Sequence, residues 1–531
     1  MNKSIITILL FSITNLLYAQ DQYFLVTFSD KYATSHSLSD PSTYLSDASI
    51  NRREHFNIAI DSSDLPVVSS YIDAVEQTGA TIWYPSKWFN AVIVSNADSV
   101  AISALPHVSG VLNMSDKSMG GIQSEDVETA SDTTSFGASN LQIEMLGIDK
   151  MHEQGYKGEG IHIAVLDAGF FNYDVNKFFV DLDVADTFDF YSRDTIVNDD
   201  HRHGANVLST MAANIEGDYV GGSPNATYYL YRTENVSFES RIEELMWTVA
   251  AERADSLGVD IIQSSLGYYD FDDATQNYSH DDLTGDFAWI SMAANHAFTK
   301  GIMIVCSAGN EGGNPWQKIT FPSDSPLVLT VGSVNSKGTK AFSSSVGPAV
   351  NNRIKPDVMA LGEGAAIINT SGMISTSNGT SFSAPQMASL LAGLMQALPD
   401  VISQEEYLNR IKAAADRYSR PDTLYGYGVP DFESALLVTS LKENDHLFKK
   451  VKIFPNPTNG EYINIELPYK LRKEELEITW YTLSGHLLKT EVIKDADEIN
   501  KISIPSKFTN QYILLRLSTS SYYKTFKVKV N

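Results

Sequence analysis

Short apolar segments alternate with helical segments between residues 141 and 438, and this alternation constrains the fold more than any other feature of the sequence. The strand-like segments are 161–166, 259–262, 302–306 and 327–331, and the helical segments are 240–257, 289–299 and 383–397. Continuous apolar strands are typical of a sheet that is covered on both faces. Strands that alternate with helices therefore predict an α/β fold built on a parallel, doubly wound sheet.

Three further segments differ from this region in character. Residues 20–114 combine strand-like runs at 23–28, 88–94 and 108–112 with a short amphipathic helix at 99–105, and they predict a small α+β unit. Residues 115–140 are rich in Ser, Thr, Asp, Glu and Gly, which is typical of a solvated linker that proteases cut. Residues 449–531 contain short β-type runs such as 462–467 and 512–517, and they predict a small β-sandwich.

Charge and the N-terminus restrict the class of function. The chain has 39 Lys and Arg against 65 Asp and Glu, a net charge of −26, which argues against binding to phosphate backbones of nucleic acids. Lys3, the apolar stretch 5–17 and Ala19 before Gln20 indicate a signal peptide over residues 1–19, with a buried N-terminal element as the alternative. No later stretch reaches the ~18 apolar residues of a membrane span. The single cysteine, Cys306, lies in an apolar run and is expected in the core.

Polar residues follow three of the predicted strands. Asp167 comes after the strand at 161–166, Ser265 after the strand at 259–262, and Asn310 after the strand at 302–306. In an open α/β sheet, ligands bind beyond the carboxyl ends of the strands. Each residue alone is a weak signal, because an aspartate after a strand is more often part of a turn or a helix cap.

Two more polar residues stand at the starts of helical segments. His203 and Gly204 open the apolar-rich stretch 205–213. Ser381 follows Gly379 by two residues and precedes the segment 382–398, which is apolar nearly all round and is therefore expected to be buried. A serine at this position is ordinarily a cap. The glycine and the long buried helix instead place its hydroxyl at the floor of a cleft, in the positive field of the helix end.

These segments together resemble the subtilisin-like serine peptidases, the subtilases. That family has an Asp in D-[ST]-G, a His in H-G-T-H, an Asn in A-G-N and a Ser in G-T-S-x-[SA]-x-P. The matching segments here are Asp167-Ala168-Gly169, His203-Gly204-Ala205-Asn206, Ala308-Gly309-Asn310 and Gly379-Thr380-Ser381-Phe382-Ser383-Ala384-Pro385. The order Asp, His, Ser along the chain is that of subtilisin. The resemblance extends from residue 142 to residue 437.

The resemblance implies peptide-bond hydrolysis by acyl transfer. Ser381 would be the nucleophile, His203 the general base and then acid, and Asp167 the residue that orients the imidazole. Asn310 would stabilise the oxyanion together with the backbone N–H of Ser381. No cofactor is implied for catalysis. Subtilases often bind structural calcium, but the sequence maps no ligands for it.

The resemblance also assigns the walls of a substrate cleft. Ser265, Leu266 and Gly267 are similar to the family's segment that pairs with an extended substrate, and Ser307, Ala308 and Gly309 would form the opposite wall of the specificity pocket. Protein or peptide substrates are therefore expected.

Three residues depart from the family pattern. Ala205 and Asn206 replace the usual Thr and His after the catalytic-type histidine, which is expected to change packing rather than chemistry. Ala168 replaces a Ser or Thr and removes a hydroxyl that could orient the carboxylate of Asp167. The geometry between Asp167 and His203 is therefore the feature that this departure puts in question.

The flanking segments resemble parts of exported subtilase precursors. Residues 20–114 are similar to an inhibitor-type propeptide, through Phe89-Asn90-Ala91-Val92-Ile93-Val94 and Leu105-Pro106-His107-Val108, and cleavage is expected within residues 115–140. Residues 449–531 are similar to the C-terminal sorting domain of the type IX secretion system, through the segment 453–460, Thr482-Leu483-Ser484-Gly485 and the run 524–530. Residues 451–531 also carry a net charge of +3, which marks a separate module. A generic accessory β-sandwich is the alternative.

The sequence therefore predicts a secreted or cell-surface serine endopeptidase, exported through the periplasm and outer membrane of a Bacteroidetes-type bacterium. The alternatives are a catalytically silent subtilase fold used for binding or adhesion, and an intracellular hydrolase with an accidental motif. His201 and His203 alone do not make a zinc site. The acidic run at 270–282 is expected to be a solvated loop, with a calcium site as the alternative, since its spacing does not match an EF-hand.

Overall fold

The computed structural model describes residues 22–114, 135–398, 402–437, 442–443, 448, 450–458, 461–473, 475–482, 487–505, 511–519 and 522–531. The predicted signal peptide, residues 1–19, lies outside the described residues, and so does most of the predicted linker. The chain divides into two compact units, one reaching to Leu436 and the other starting at Leu437. No helix in the described part of the chain is long and apolar enough to cross a membrane.

The first part of the larger unit is a small α+β domain, as the sequence predicts. Its elements are β1 (Tyr23–Phe28), α1 (Asp47–His55), α2 (Ser69–Glu76), β2 (Thr81–Ser86), β3 (Ala91–Ser95), α3 (Ser99–Ser103) and β4 (Val108–Asn113). The strands lie in the order β2-β3-β1-β4, and neighbouring strands are antiparallel. The strand predicted at 88–94 begins only at Ala91, because Asn90 has a φ of 47° and the Phe89 N–H donates to Ser86 Oγ in a turn.

Alternate residues of this sheet belong to two different cores. Phe24 packs with Tyr71 of α2 in a core of the small domain. Leu25 and Ile93 belong instead to a core that they share with Trp247, in the second part of the unit. Successive strand side chains point to opposite faces of a sheet. The largely apolar strand β1 therefore covers its own helices on one face and the following domain on the other.

The second part of the larger unit, from residue 135 to residue 436, is built on a parallel sheet. The strands of this part of the chain, which include those of two small separate sheets, are β5 (His162–Asp167), β6 (Asp183–Asp189), β7 (Asn214–Ile215), β8 (Tyr219–Val220), β9 (Thr227–Arg232), β10 (Ile261–Ser264), β11 (Met303–Ser307), β12 (Val328–Val334), β13 (Val358–Leu361), β14 (Glu363–Ile368) and β15 (Ile374–Asn378). Its helices are α4 (Asn140–Met145), α5 (Ile148–Glu153), α6 (His203–Ala212), α7 (Arg241–Leu257), α8 (Trp289–Thr299), α9 (Thr380–Ala397), α10 (Gln404–Ala413) and α11 (Phe432–Leu437).

Strand β5 lies where the strand order of this sheet reverses. Seven strands pair in the order β13-β12-β11-β10-β5-β9-β6, and all these pairs are parallel. The chain thus places β6 and β9 on one side of β5 and β10 to β13 on the other. Ligands of open α/β sheets bind at such a switch point, beyond the carboxyl ends of the strands. The last residue of β5 is Asp167.

Helices cover both faces of the seven-stranded sheet. Ile163 of β5 shares one core with Met387 of α9. The next residue of the strand, Ala164, shares the other core with Trp247 of α7. The buried Cys306 of β11 lies in that second core. The prediction of a parallel, doubly wound sheet is confirmed.

Helix α7 begins at a capping box and ends before a glycine in the left-handed region. Ser240 caps it by accepting from the Ile242 N–H, and Glu243 Oε2 accepts from the Ser240 N–H at 2.9 Å, which forms a capping box. The helix ends at Leu257 and is followed by Gly258, whose φ of 92° is accessible to glycine at little cost. This start places the buried Glu243 beside the carboxyl ends of the central strands.

The smaller unit is a β-sandwich of two sheets, as predicted. Its strands are β16 (Lys442–Glu443), β17 (Lys452–Phe454), β18 (Tyr462–Glu466), β19 (Leu476–Thr482), β20 (Leu487–Ile493), β21 (Ile499–Ser503), β22 (Gln511–Ser518) and β23 (Tyr522–Val530). One sheet has the order β16-β23-β22-β19-β20 and the other β17-β18-β21. Ile463 of β18 and Trp480 of β19 lie in one common core, so the two sheets pack face to face.

Candidate active site

Asp167 and His203 form a hydrogen-bonded pair at the switch point of the sheet. Asp167 is the last residue of β5 and is fully buried, and His203 is the first residue of α6. The distance between His203 Nδ1 and Asp167 Oδ1 is 2.7 Å. The side chain of His203 is 25% exposed, so its ring connects the buried carboxylate with the surface of the cleft.

Two glycines allow the close approach of α6 to the end of β5. A Cβ on Gly204 would lie 2.6 Å from the Gly169 carbonyl oxygen and 2.9 Å from Asp167 Cβ. Gly169 has a φ of 140°, and a Cβ there would lie 2.8 Å from the backbone nitrogen of His201. Both contacts are closer than carbon atoms tolerate. Glycine is therefore required at positions 169 and 204 if Asp167 and His203 are to lie within hydrogen-bond distance.

Ala168 stands where the family pattern has Ser or Thr. The hydrogen bond between Asp167 and His203 is present despite this departure. The Ala168 backbone N–H donates to Asp167 Oδ1 at 2.7 Å, so one oxygen is held by the main chain and by the imidazole. The other oxygen, Oδ2, is buried and has no hydrogen-bond partner among the described residues. A hydroxyl at position 168 is therefore not needed to bring Asp167 and His203 together.

Ser381 lies in the first turn of α9, and the next residue of that helix, Phe382, lies near His203. The helix starts after Gly379, whose φ of 145° turns the chain from β15 into the helix. The ring of Phe382 lies 6.1 Å from the ring of His203, measured between centroids. Ser381 is 6% exposed, and its Oγ is 3.5 Å from the carbonyl oxygen of Ser265. The hydroxyl thus sits at a helix N-terminus, where a developing negative charge is favoured.

Asn310 is oriented by the residue that precedes Ser381. It follows β11, and its Oδ1 accepts from the Thr380 N–H at 2.9 Å and from Thr380 Oγ1 at 3.0 Å. Since the carbonyl end of the amide points at Thr380, the NH₂ end points away from it. The arrangement leaves the side-chain amide as a donor beside the start of α9.

The six predicted substrate-binding residues lie at or just beyond the carboxyl ends of β10 and β11, which are neighbouring strands on one side of β5. Ser265, Leu266 and Gly267 come after β10, and Ser307, Ala308 and Gly309 lie at the end of β11 and beyond it. The Ser265 hydroxyl donates to the Ser381 carbonyl oxygen at 2.8 Å. A Cβ on Gly267 would lie 2.0 Å from Thr320 Oγ1, so a side chain at this position would collide with Thr320. The structure therefore brings both segments to the edge that holds Ser381.

A cavity beside His203 contains three carboxylates that the sequence interpretation missed. Glu234, Glu239 and Glu243 line it, and one oxygen of each lies within 4.8 Å of the others. Glu234 follows β9, a strand that is absent from the sequence-based prediction. Glu243 belongs to the S-x-x-E pattern of a helix cap, which gives no sign of a cavity.

Burial and mutual repulsion shift the pKa values of two of these carboxyls. Burial raises the pKa of Glu234 to about 7, the hydroxyl of Tyr268 opposes this shift, and the negative charge of Asp167 adds to it. Burial, with the charges of Glu234 and Glu239, raises the pKa of Glu243. Such shifts are common where a site holds like charges close together.

The acidic run at 270–282 does not gather metal ligands. Glu234, Glu239 and Glu243 are the one group of three or more metal-ligating side chains that converge within the described residues. The carboxylate of Asp282 instead accepts from the N–H and the hydroxyl of Ser279 as a local cap. Within the described residues, the carboxylates of this run do not converge in a group of three.

Comparisons with known proteins find relatives of both parts of the larger unit. Residues 158–428 match the model of the Subtilase family, and residues 23–131 match the model of the Peptidase S8 propeptide domain of Bacteroidota. Subtilisin DY of Bacillus licheniformis is 28% identical over 296 residues, which cover 55% of this chain and 97% of that protein. Subtilisin NAT of Bacillus subtilis subsp. natto is 25% identical over 368 residues, covering 68% and 85%. The thermostable alkaline protease of Halalkalibacterium halodurans is 26% identical over 306 residues, covering 57% and 73%.

Proposed function

This chain belongs to the subtilase family, and from that premise we propose that it is a serine endopeptidase whose catalytic triad is Asp167, His203 and Ser381. One observation carries the proposal. The 2.7 Å hydrogen bond between Asp167 and His203 holds the imidazole at the edge of the sheet where α9 presents Ser381. A histidine held through Nδ1 keeps its Nε2 available for a serine hydroxyl.

The geometry supports a two-step acyl transfer. Ser381 Oγ attacks the carbonyl carbon of the scissile peptide bond and passes its proton to His203 Nε2. The imidazolium then gives that proton to the leaving amine, while Asp167 stabilises its charge. The Asn310 amide and the Ser381 N–H stabilise the oxyanion, because both donors lie at the start of α9. Water, activated by the same histidine, releases the second product from Ser381.

A fluorophosphonate probe tests this function directly, since it reacts only with a serine that a working base activates. We expect the mature wild-type protein to be labelled, and both Ser381→Ala and His203→Ala to lose the label. Ser383→Ala is the matched control, because the Ser383 hydroxyl lies on the same helix and donates only to the Thr380 carbonyl oxygen. A wild-type protein that stays unlabelled after its N-terminal domain has been removed would instead be a silent subtilase used for binding.

The N-terminal domain, residues 22–114, acts in this proposal as the inhibitory propeptide of the enzyme. Glu252 of α7 accepts from Ser86 Oγ at 2.6 Å and from the N–H groups of Lys87 and Trp88 at 2.8 and 3.1 Å. The ring of Phe89 packs edge-on against Trp289 of α8. The domain thus covers α7 and α8, the helices on one face of the catalytic sheet.

Buried charges strengthen this interface. The guanidinium of Arg52 donates to the carbonyl oxygens of Lys300, Val259 and Asp255 and to Asp255 Oδ1, at 2.6 to 3.2 Å; we refer to this residue as the Arg52 anchor. Arg53 and Lys87 also pair with Asp255. Burial acts to raise the pKa of Asp255, but Lys87, Arg52 and Arg53 outweigh it and lower that pKa to about 2. The aspartate therefore stays ionised in the interface.

Arg52→Ala should weaken the retention of the cleaved propeptide by about 10²–10³-fold. Removing one partner of a buried ion pair costs about 3–5 kcal/mol, and the lower half of that range is expected here because Asp255 keeps Arg53 and Lys87 as partners. The measurement is the concentration at which activity appears when the processed full-length protein is diluted. Arg193→Ala is the control, since its exposed guanidinium reaches the Ile82 carbonyl oxygen at 3.2 Å across the same interface. Equal retention in both variants would contradict the role of the anchor.

The termini complete the proposal. A signal peptide over residues 1–19 would export the precursor, and the sorting function proposed for residues 449–531 would carry it across the outer membrane by the type IX machinery. Protein or peptide substrates outside the cell are the expected targets. The β-sandwich of the smaller unit is compatible with this role.

A further inference from the structure

Arg232 is the last residue of β9 and lies between two aspartates at the carboxyl ends of neighbouring strands. It pairs in register with Asp167 of β5 on one side and with Asp189 of β6 on the other. Alternate side chains of a strand share one face of the sheet. Leu230, two residues earlier, lies in the core that also holds Val207 of α6. The side chain of Arg232 therefore lies on the face that α6 covers.

The guanidinium of Arg232 bridges two carboxylates from different parts of the chain. Its Nη1 donates to Asp189 Oδ2 at 2.7 Å, and its Nη2 lies 2.6 Å from Asp200 Oδ2. The Arg232 side chain is 7% exposed, and those of Asp189 and Asp200 are 2% and 34% exposed. Charge-assisted hydrogen bonds of this length are among the stronger ones in proteins. One arginine thus connects the end of β6 with the segment that leads into α6.

The segment between these two carboxylates carries His203 to the site. Asp189 ends β6, Asp200 stands three residues before His203, and His203 begins α6. The start of the segment is fixed as well, since Asp189 Oδ1 accepts from the Tyr191 N–H at 2.7 Å. Arg232 therefore holds both ends of the segment that places the imidazole.

Main-chain hydrogen bonds hold the same segment against the chain that follows β5. The Phe170 N–H donates to the Val197 carbonyl oxygen at 2.7 Å, and the Phe171 N–H donates to the His201 carbonyl oxygen at 3.2 Å. These bonds are independent of any side chain, so we expect them to persist when Arg232 is replaced. Loss of the arginine should therefore shift the segment relative to β6 and β9 rather than unfold it.

The chemistry of arginine suits this task better than that of lysine. A guanidinium is a planar fork that can hold two carboxylates in fixed directions, whereas an ammonium is a point charge on a flexible stem. The 2.7 Å hydrogen bond between His203 Nδ1 and Asp167 Oδ1 leaves little tolerance. A displacement of about 1 Å in a catalytic group can lower a rate by about 10²-fold. The site therefore requires the direction of the two ion pairs, and not the charge alone.

We propose that Arg232 is a positioning residue, which sets the place of His203 between Asp167 and Ser381 through its ion pair with Asp200. The proposal rests on the endopeptidase function proposed above and adds to it a residue that lies outside the motifs of the triad. The role of Arg232 is separate from substrate binding and from proton transfer.

The test uses the processed full-length protein, with active sites counted by the end point of fluorophosphonate labelling. Arg232→Lys keeps the charge and loses the fork, and we expect kcat per labelled site to fall by about 10–100-fold with KM within about twofold of the wild type. Asp200→Asn should lower kcat to a similar extent. The double variant should be no more than about threefold below the lower single variant, because both changes break one contact.

Arg253→Lys is the matched control. Arg253 of α7 donates through Nε and Nη2 to the two carboxylate oxygens of Asp186 at 2.7 and 2.9 Å, and Asp186 belongs to the same strand, β6. Helix α7 covers the other face of the sheet, so this ion pair lies on the side opposite to α6. Its loss should leave kcat within about twofold of the wild type.

Other outcomes overturn the proposal. An Arg232→Lys protein with fewer labelled sites or a lower Tm, but with a wild-type kcat per labelled site, shows that the arginine serves only stability. A wild-type kcat in Asp200→Asn beside a low kcat in Arg232→Lys shows that the arginine does not act through this ion pair. Asp200 is partly exposed, so its variant tests the proposal even if Arg232→Lys does not fold. A wild type that takes up no label contradicts the proposed function itself, whereas a labelled wild type with either of these variant results contradicts only the role of Arg232.

Discussion

Ser381→Ala is expected to lower peptide hydrolysis by about 10⁶-fold and to leave the chain uncut after expression. The scale is the one found for the nucleophile of subtilisin, where the binding cleft and oxyanion donors remain but no acyl-enzyme forms. In this protein Ser381 is the second residue of α9, and the ring of the next residue, Phe382, lies 6.1 Å from the ring of His203. Loss of this one oxygen therefore removes the nucleophile without disturbing the helix.

Intact mass and N-terminal sequencing measure the effect on processing. The wild type should begin within residues 115–140, and Ser381→Ala should keep its N-terminal domain. Ser383→Ala, the neighbouring hydroxyl on α9, should process as the wild type does. A Ser381→Ala protein that is shortened at the same bond would show that another protease performs maturation, and hydrolysis of a peptide would then be the remaining measure of Ser381.

Asp167→Asn should lower kcat by about 10⁴-fold with little change in KM. The amide can still approach His203, but it stabilises the wrong tautomer and cannot compensate the imidazolium charge. The effect should be large here because the Asp167 carboxylate is fully buried, and its Oδ2 atom has no hydrogen-bond partner in the described structure. Steady-state kinetics of the mature enzyme provide the measurement.

A second aspartate provides the control for this substitution. Asp174 is exposed and accepts from the Asn198 side chain at 2.7 Å. Asp174→Asn removes one negative charge from the same domain and should leave kcat within about twofold. If Asp167→Asn kept more than a tenth of the wild-type kcat, the carboxylate would not belong to the catalytic machinery.

The sequence predicts the central fold because its signals are local. The short apolar runs at 259–262, 302–306 and 327–331 overlap β10, β11 and β12, and the predicted helix at 289–299 coincides with α8. The residues of the proposed triad could be selected from the sequence for the same reason, since each lies in a motif with a glycine one or two residues away from it. Gly169 and Gly204 indicate that two chain segments approach closely, which secondary-structure propensities alone do not predict.

The acidic cavity was not predictable because the strand before it does not have an apolar pattern. Strand β9 reads Thr-Tyr-Tyr-Leu-Tyr-Arg, and its tyrosines are buried with their hydroxyls bonded to partners such as Ser223 and Asp186. Without β9 in the sheet, Glu234 has no place beside Asp167. The partners of Asp255 were equally hidden, since Arg52 is 203 residues away along the chain.

The Arg52 anchor affects how the amino-acid sequences of the N-terminal domain and of the domain that follows it can change during evolution. Three of its four acceptors are main-chain carbonyl oxygens, those of Lys300, Val259 and Asp255. A carbonyl is present whatever side chain the residue bears, so mutations at positions 259 and 300 leave these acceptors in place. The hydrogen bonds of Arg52 therefore depend on the backbone path of the second domain more than on the side chains at positions 259 and 300. The enzyme can accumulate substitutions on this surface without a matching change in the domain that inhibits it.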